Sequence, residues 1–201
     1  MTVPVHPIEA ESYRILAARV DLTRWPPAAR AVVARIIHAA ADVSYADTLV
    51  VDEDACRAGI AALRSGAPVI ADVEMVAVAT RRAGSRCLLA EGRALAADGS
   101  DGLTAAAAAM RVAAARWPDG AVVVVGNAPT ALGEVVRLAA AGDFRPALVI
   151  GLPVGFVGAA DAKAALRASG LPAVSNVGER GGSAVAAAAL NALWRLAQDD
   201  A

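Results

Sequence analysis

The run Ala121-Val122-Val123-Val124-Val125-Gly126-Asn127-Ala128-Pro129-Thr130 carries the strongest structural signal in this sequence. Its first five residues are apolar and mostly β-branched, which favours a strand buried on both faces. Gly126 then interrupts the strand, and Pro129 suits the first position of a helix. Glycine-bearing runs at 151–158 and 178–183 also lie between an apolar segment and an alanine-rich segment. The chain therefore repeats a strand, a glycine-bearing junction and a helix.

Apolar runs and helical patterns alternate along the rest of the sequence as well. Strands are predicted at residues 69–72, 86–90, 121–125, 147–150 and 172–177. Helices are predicted at residues 26–41, 53–65, from 73 onward, 103–116, 129–140, 160–169 and 183–196, and a polar loop is predicted at 98–102. Buried strands separated by helices are typical of parallel sheets with helical crossovers on both faces. The prediction is an α/β fold, a three-layer α/β/α sandwich with a mostly parallel sheet, in one domain that covers residues 1–201.

The amino-acid composition indicates which kinds of partner and which cellular compartment to expect. The 201 residues are 57% hydrophobic, and 19 basic and 20 acidic side chains give a net charge of -1. A protein that binds nucleic acid or an acidic membrane carries a basic face, so neither partner is expected. Gly, Pro or a charged residue interrupts every apolar stretch before it reaches bilayer length. Cys56 and Cys87 form no CxxC pair, and residues 1–7 do not resemble a secretory leader, so a soluble protein of the reducing cytoplasm is predicted.

The three glycine-bearing junctions predict a binding crevice. In a parallel sheet the carboxyl ends of the strands lie at one edge, so the N-termini of the following helices gather there. Backbone amides at helix N-termini attract anions, which indicates a small anionic ligand. The sequence has neither a Walker loop nor a GxGxxG fingerprint, so a nucleotide-binding enzyme is a poor alternative.

Seven segments occur in a specific order and spacing. They are residues 6–9 (HPIE), 12–16 (SYRIL), 35–39 (RIIHA), 67–76 (APVIADVEMV), 126–132 (GNAPTAL), 151–158 (GLPVGFVG) and 181–184 (GGSA). Together they resemble the precorrin-8X methylmutase family, which includes the close relative acting on cobalt-precorrin-8. The resemblance implies a parallel α/β sandwich that forms a homodimer, with its sites near the subunit interface.

The resemblance also implies the reaction. Family members move a methyl group from C-11 to C-12 of precorrin-8X by a 1,5-sigmatropic shift and give hydrogenobyrinic acid, a step of cobalamin biosynthesis. This intramolecular methyl transfer, an isomerisation, involves no redox change and implies no cofactor and no metal ion. It needs a rigidly held macrocycle and a proton on a ring nitrogen, which polarises the conjugated system. The implied partners are precorrin-8X, hydrogenobyrinic acid and the next pathway enzyme, to which the product is handed over.

His38 is the candidate proton donor. It lies in the last turn of the helix predicted at 26–41, where the negative end of the helix dipole favours an imidazolium, and Asp42 follows four residues later. From the residues alone, a histidine hydrogen-bonded in the core or at a helix end is the preferred interpretation. The resemblance reverses that preference and implies a catalytic role. His6, before Pro7, is interpreted as structural or solvent-exposed.

Candidate substrate-contacting residues come from the same segments. The family substrate carries acetate and propionate arms, so neutral or cationic donors are expected to line the crevice. An orienting or structural role is expected for Asp72 and Glu74, since ionised carboxylates would repel a polyanionic ligand. The alternatives are local: Tyr13 packs within a helix, Asn127 and Thr130 cap one, and the last helix has an ordinary tight start. The candidate set is Ser12, Tyr13, Arg14, Asp72, Thr104, Asn127, Thr130, Gly155, Gly181, Gly182 and Ser183.

One departure from the family pattern keeps a second function open. Family members usually have Thr-Arg-Ser at the start of the long helix, where this sequence has Thr104-Ala105-Ala106. An arginine and a serine expected near the substrate are therefore missing, and Arg81 and Arg111 flank the region as alternative anchors. The alternatives to precorrin-8X methylmutase are a divergent corrinoid-binding or carrier protein, and an enzyme acting on cobalt-precorrin-8.

Overall fold

Within residues 6–97 and 102–199, which the computed structural model describes, the chain forms a six-stranded sheet. The strands are β1 (Leu49–Val51), β2 (Val69–Ala71), β3 (Arg86–Cys87), β4 (Val122–Val125), β5 (Leu148–Gly151) and β6 (Ala173–Asn176). They lie in the order β1-β6-β5-β4-β2-β3, and every neighbouring pair is parallel except β1 with β6. The predicted α/β fold with a mostly parallel sheet is confirmed.

Helices cover both faces of this sheet. In the described ranges they are α1 (Pro7–Arg19), α2 (Pro27–Ala40), α3 (Tyr45–Thr48), α4 (Glu53–Arg64), α5 (Glu74–Ala79), α6 (Leu89–Ala97), α7 (Ala105–Arg116), α8 (Pro129–Ala140), α9 (Ala159–Ala168) and α10 (Ser183–Asp199), with short 3-10 turns at Leu22–Arg24 and Arg81–Ala83. The helices α2, α4, α5 and α10 pack on one face, and α7, α8 and α9 pack on the other. In the part of the chain that the structure describes, no helix combines the length and apolar character needed to cross a bilayer.

The central strand β4 is buried on both faces. Its four valines have no exposed surface. Val122 and Val124 belong to the core on the α10 side, whereas Val123 and Val125 belong to the core on the α8 side. A strand between two helical layers has no solvent face, so both sets of side chains must be apolar. This requirement explains the uninterrupted apolar run in the sequence.

Sequence expectation and structure differ mainly at the edges of the sheet. The antiparallel strand β1 is absent from the predicted strands, because its three residues are too few to show a period. The strand predicted at 86–90 is wrong beyond Cys87, since β3 pairs only as far as Ala71 of β2, and α6 begins at Leu89. The loop predicted at 98–102 lies outside the described residues except for Gly102.

The helices that follow the neighbouring strands β2 and β4 lie on opposite faces of the sheet. The helix α5 follows β2 on the α10 side, whereas α8 follows β4 on the other side. Ligands bind at such switch points in open parallel sheets, so the carboxyl ends of β2 and β4 mark the place of the candidate crevice. The end of α2 lies near the same edge, because β1 is antiparallel and its first residue, Leu49, pairs with Asn176 at the end of β6.

A glycine inside α6 sets the packing of α6 on α7. A β-carbon at Gly92 would lie 2.2 Å from the carbonyl oxygen of Ala105 and 2.6 Å from the backbone nitrogen of Ala109. We expect Gly92→Ala to lower the free energy of unfolding by about 1–3 kcal/mol, as overpacking does. Gly133 in α8 has no described atom within 4 Å of the same position, so Gly133→Ala is the matched control and should raise that free energy by about 0.5–1 kcal/mol. Urea denaturation measures both changes, and effects of the same sign would contradict the packing explanation.

Candidate active site

His38 lies in the last turn of α2, near the carboxyl edge of the sheet, and is half-buried. Two side chains of α1 hold its imidazole ring. Its Nδ1 atom is 2.9 Å from the hydroxyl oxygen of Ser12, and the Tyr13 ring stacks on it with centroids 5.0 Å apart and planes inclined by 14°. The structure thus brings together three of the predicted site residues, which come from two helices.

An ion pair between α1 and α2 supports this cluster. Arg35, one turn before His38, donates to the Glu9 carboxylate at 2.6 Å and to the Tyr13 hydroxyl at 3.3 Å. Neither Glu9 nor Arg35 is in the predicted candidate set. The signal that could have found them is spacing, because residues three apart on a helix lie on one face. Arg35 therefore fixes the side chain that stacks on His38.

Arg14 lies apart from this cluster. Its side chain is exposed and pairs with Glu11 on the surface of α1, at 2.6 Å. Residue 14 is one position past Tyr13, which turns it by about 100° around the helix axis. Exposed pairs of this kind contribute little to stability. The structure therefore does not bring Arg14 to His38.

The carboxylate of Asp42 serves residues other than His38. It accepts from the amide of Ser44 at 3.0 Å, from the Ser44 hydroxyl at 2.7 Å, and from the guanidinium of Arg180. The hydrogen bonds from Ser44 and the charge of Arg180 hold the pKa of Asp42 below its usual value. Arg180 also lies over the Tyr45 ring, 4.3 Å from its centroid. Asp42 thus ties the loop that carries Arg180 to the end of α2.

Asp72 occupies the junction between β2 and β4, and its side chain has no exposed surface. Its Oδ1 accepts from the Gly126 amide at 3.1 Å, and its Oδ2 accepts from the amides of Asn127 and Ala128 at 2.7 and 2.8 Å. Burial raises the pKa of Asp72, and the amide hydrogen bonds oppose that rise. The expectation of free amides for an anion is therefore wrong at this junction, because the protein's own carboxylate uses them.

Four polar side chains line the mouth of the crevice. Ser183 donates to the amide oxygen of Asn127, and the hydroxyls of Thr104 and Thr130 are 2.8 Å apart. Thr104 also caps α7 by accepting from the Ala107 amide at 3.2 Å. Asn127, Thr104 and Thr130 are exposed. Those three side chains present neutral hydroxyl and amide groups at this edge, whereas Ser183 is buried beside them.

The other two glycine-bearing junctions pack against each other. The Gly182 amide donates to the Leu152 carbonyl at 2.9 Å, and the Gly155 amide donates to the Glu179 carbonyl at 3.1 Å. Gly182 has a φ of +128°, which L side chains rarely adopt. A β-carbon at Gly181 would lie 2.2 Å from the Leu152 carbonyl oxygen. The backbone itself therefore requires these glycines, and they shape the crevice by joining its two loops.

The arginines considered as replacement anchors lie away from the crevice. Arg111 donates to Glu134 of α8 at 2.7 Å. Arg81 lies in the turn between α5 and β3, where the chain has left the carboxyl edge. At the start of α7 itself, Ala105 is half-buried and Ala106 is buried.

Apolar side chains complete the surroundings of the site. Phe156 and Val157, in the loop between β5 and α9, are 92% and 89% exposed, and Met75 at the start of α5 is 65% exposed. The edge therefore offers hydrogen-bond donors, apolar surface and one fixed imidazole. These features define an α/β sandwich protein in which two side chains hold a half-buried histidine near a sheet edge that carries neutral polar groups.

Comparison with known proteins identifies the family. The sequence model of the precorrin-8X methylmutase family matches residues 7–196. Cobalt-precorrin-8 methylmutase of Priestia megaterium is 38% identical, over 98% of this chain and 90% of the relative. Precorrin-8X methylmutase of Pseudomonas aeruginosa is 41% identical, over 92% and 93%. The crystal structure of precorrin-8x methyl mutase from Thermus thermophilus superposes with a TM-score of 0.86, at 39% identity and 96% coverage of each chain. The chain belongs to the precorrin-8X methylmutase family.

Replacing Asp72 tests whether its carboxylate holds the crevice together. In Asp72→Asn the side-chain NH₂ faces backbone N–H groups, so buried donors lose their acceptor, and we expect the free energy of unfolding to fall by roughly 2–4 kcal/mol. Glu74→Gln is the matched control, because Glu74 is exposed two residues later and surface changes cost less than about 0.5 kcal/mol. Chemical denaturation measures both variants, and an Asp72→Asn protein as stable as the control would refute this role.

Proposed function

We propose that this chain is an isomerase that moves a methyl group from C-11 to C-12 of precorrin-8X and gives hydrogenobyrinic acid in cobalamin biosynthesis. The names of the family and of its relatives denote a methylmutase, an enzyme that shifts a methyl group within one molecule. The observation that carries the proposal is the cluster of His38 with Ser12 and Tyr13. A fixed imidazole supplies what the shift requires, a proton donor of defined position.

His38 acts as the general acid. In the imidazolium form, Nδ1–H donates to the Ser12 hydroxyl, and Nε2–H donates to a ring nitrogen of the macrocycle. This proton polarises the conjugated system, so that the bond from the methyl group to C-11 breaks as the bond to C-12 forms. The proton then returns to the imidazole, and the reaction is a net isomerisation. Stacking on Tyr13 keeps the imidazole plane fixed while the proton moves.

The carboxylate arms of the substrate bind along the row formed by Thr104, Asn127, Thr130 and Ser183. All four side chains are neutral, so they form no fixed ion pair. The Ser183 hydroxyl already donates to Asn127, so the donors left for the arms are the Asn127 NH₂ group and one hydroxyl of the Thr104–Thr130 pair. The chain has a net charge of -1, and these local donors take the place of a cationic surface. Gly155, Gly181 and Gly182 contribute through the shape of the two loops, and Asp72 contributes by orienting the junction.

The relatives carry both the metal-free and the cobalt name, and the proposal covers both substrates, because they share the same peripheral arms. A corrinoid carrier is the second candidate, favoured by Ala105 and Ala106 at the place of the family arginine and serine. Incubation with precorrin-8X, followed by the visible spectrum, separates the two functions. An enzyme produces the hydrogenobyrinic acid chromophore, whereas a carrier binds without spectral conversion.

We also propose that the protein is a cytoplasmic homodimer. Phe156 and Val157 are almost fully exposed neighbours, and adjacent exposed apolar side chains mark surfaces that meet another protein. Cys56 is buried and Cys87 is half-buried, and both are free thiols, as is usual in a reducing compartment. Hand-over of the product to the next pathway enzyme would take place at the same exposed edge.

Replacing His38 tests the proton donor. We expect His38→Ala to lower turnover of precorrin-8X by about 10²- to 10⁴-fold, the usual contribution of a general acid, while hydrogenobyrinic acid still binds. His38→Gln keeps a hydrogen bond without a titratable proton and should be equally slow. His6→Ala is the control, because His6 is exposed and only caps α1 through the Ile8 amide. Full turnover in His38→Ala would remove the histidine from the mechanism.

Restoring the family residues tests the altered start of α7. Ala105→Arg with Ala106→Ser should tighten substrate binding and raise turnover, because an arginine paired with a propionate contributes about 1–3 kcal/mol. In the absence of ligand, the free energy of unfolding should fall by about 0.3–1 kcal/mol, since a cation opposes the dipole at a helix N-terminus. Ala105→Arg alone shows the effect of the added charge without the hydroxyl that Ala106→Ser places at a buried position. A fall in both affinity and rate would show that the site is built around the alanines and would favour the carrier.

A further inference from the structure

The chain uses lysine once. Of the 19 lysines and arginines in the sequence, one is a lysine, Lys163. It lies in α9 and has no exposed surface. An ammonium is compact and its donors can converge, whereas a guanidinium is larger and planar. A lysine kept inside an arginine-rich protein therefore indicates a position that an arginine does not fit.

Lys163 holds the chain that follows β6. Its Nζ donates to the side-chain oxygen of Asn176 at 3.0 Å and to the backbone carbonyl of Arg180 at 2.6 Å. The Asn176 side chain donates to the same carbonyl at 2.9 Å and to that of Val177 at 3.4 Å. Arg167, one turn along α9, donates to the Asn176 carbonyl at 2.6 Å. Two side chains thus converge on one carbonyl of the loop at 177–182.

Burial disfavours the positive charge of Lys163. Both of its acceptors are neutral oxygens, and burial lowers the pKa of Lys163 to about 8, with the charge of Arg167 acting in the same direction and that of Glu179 against it. The folded protein binds this proton more weakly than the unfolded chain, so the protonated form costs stability at neutral pH. A buried charge retained at such a cost suggests a role in local order.

The loop at 177–182 connects the two halves of the candidate site. At its centre the Arg180 side chain reaches Asp42 and Ser44, just past the helix end that carries His38. At its end Ser183 donates to Asn127 at the mouth of the crevice. A change in the Arg180 carbonyl therefore reaches both the imidazole side and the binding side of the crevice.

We propose that Lys163 is a positioning residue: by fixing the Arg180 carbonyl and the Asn176 side chain, it holds the loop at 177–182 in the conformation that receives the corrinoid. This role rests on the proposed function for the identity of the ligand. Lys163 does not touch the reacting atoms, so its replacement should affect binding more than the chemical step.

The test compares three variants with hydrogenobyrinic acid as the probe. Lys163→Met keeps the length of the side chain and removes its donors, and Lys163→Arg keeps the charge in a planar group. Leu166→Val, in the same helix, is the control for loss of packing, because Leu166 is buried in the apolar core. The measurements are Kd by absorbance titration, amide hydrogen exchange at 178–182, Tm, and the separate values of kcat and KM for precorrin-8X.

We expect Lys163→Met to raise Kd and KM by about tenfold or more and to speed exchange in the loop by a similar factor, with kcat changed less than about threefold. Lys163→Arg should resemble Lys163→Met, and Leu166→Val should lower Tm without changing Kd or loop exchange. A folded Lys163→Met protein with unchanged Kd and loop exchange would overturn the proposal. Wild-type behaviour of Lys163→Arg would overturn the requirement for a compact ammonium, since a guanidinium also carries a charge and N–H donors.

If Lys163→Met does not fold, the wild-type protein provides the test. Protein labelled with ¹³C at Cε and ¹⁵N at Nζ of lysine gives a single side-chain signal, because the chain has one lysine. Saturation with hydrogenobyrinic acid should shift this signal and slow exchange of its N–H protons, and an unchanged signal would overturn the proposal. A wild-type protein that binds the probe but does not convert precorrin-8X refutes the proposed function and leaves the positioning role intact.

Discussion

The carboxylate of Asp72 is the interaction on which the geometry of the crevice depends. Where β4 ends, three successive amides leave the sheet without strand partners, and Asp72 at the end of β2 accepts all three. An anion at this point also complements the positive end of α8. Because Asn127 is fixed in this way, its side chain can receive Ser183 and so set the beginning of α10. The buried carboxylate of Asp72 thus fixes the end of β4, and through Asn127 it also fixes the beginning of α10.

The proposed proton donor lies in a different part of the fold. His38 belongs to α2, and its partners Ser12 and Tyr13 belong to α1, so the candidate acid is held by two helices that precede the first strand. The connection between acid and crevice runs through Arg180, which reaches back to Asp42. The candidate acid and the crevice therefore come from separate elements, and the contact of Arg180 with Asp42 joins them.

The parts of the fold that the sequence predicts are those with a strong local period. β4 is visible because a doubly buried strand demands four apolar residues in a row, and α8 is visible because Pro129 begins it. The partners of Asp72 cannot be found in this way, since they lie more than fifty residues further along the chain. The face of α1 that meets α2 cannot be found in this way either, because Leu16 is the one buried residue of that helix. Ser12 and Tyr13 therefore depended on resemblance. Helical spacing could have pointed to Glu9 and Arg35, whereas Lys163 became visible only through its contacts.

The contact between Asp42 and Arg180 spans 138 residues of chain. This separation determines when the two sides of the contact become available during translation of the protein. A ribosome adds about 5–20 residues per second, so α1 and α2 emerge several seconds before the loop and the helix α10 against which α2 packs. During that interval the loop at 177–182 has not yet reached the end of α2, and the apolar face of α2 is not yet covered by α10. The candidate site is therefore completed only in the last stage of translation, and a truncated nascent chain carries His38 without the loop at 177–182 and without α10.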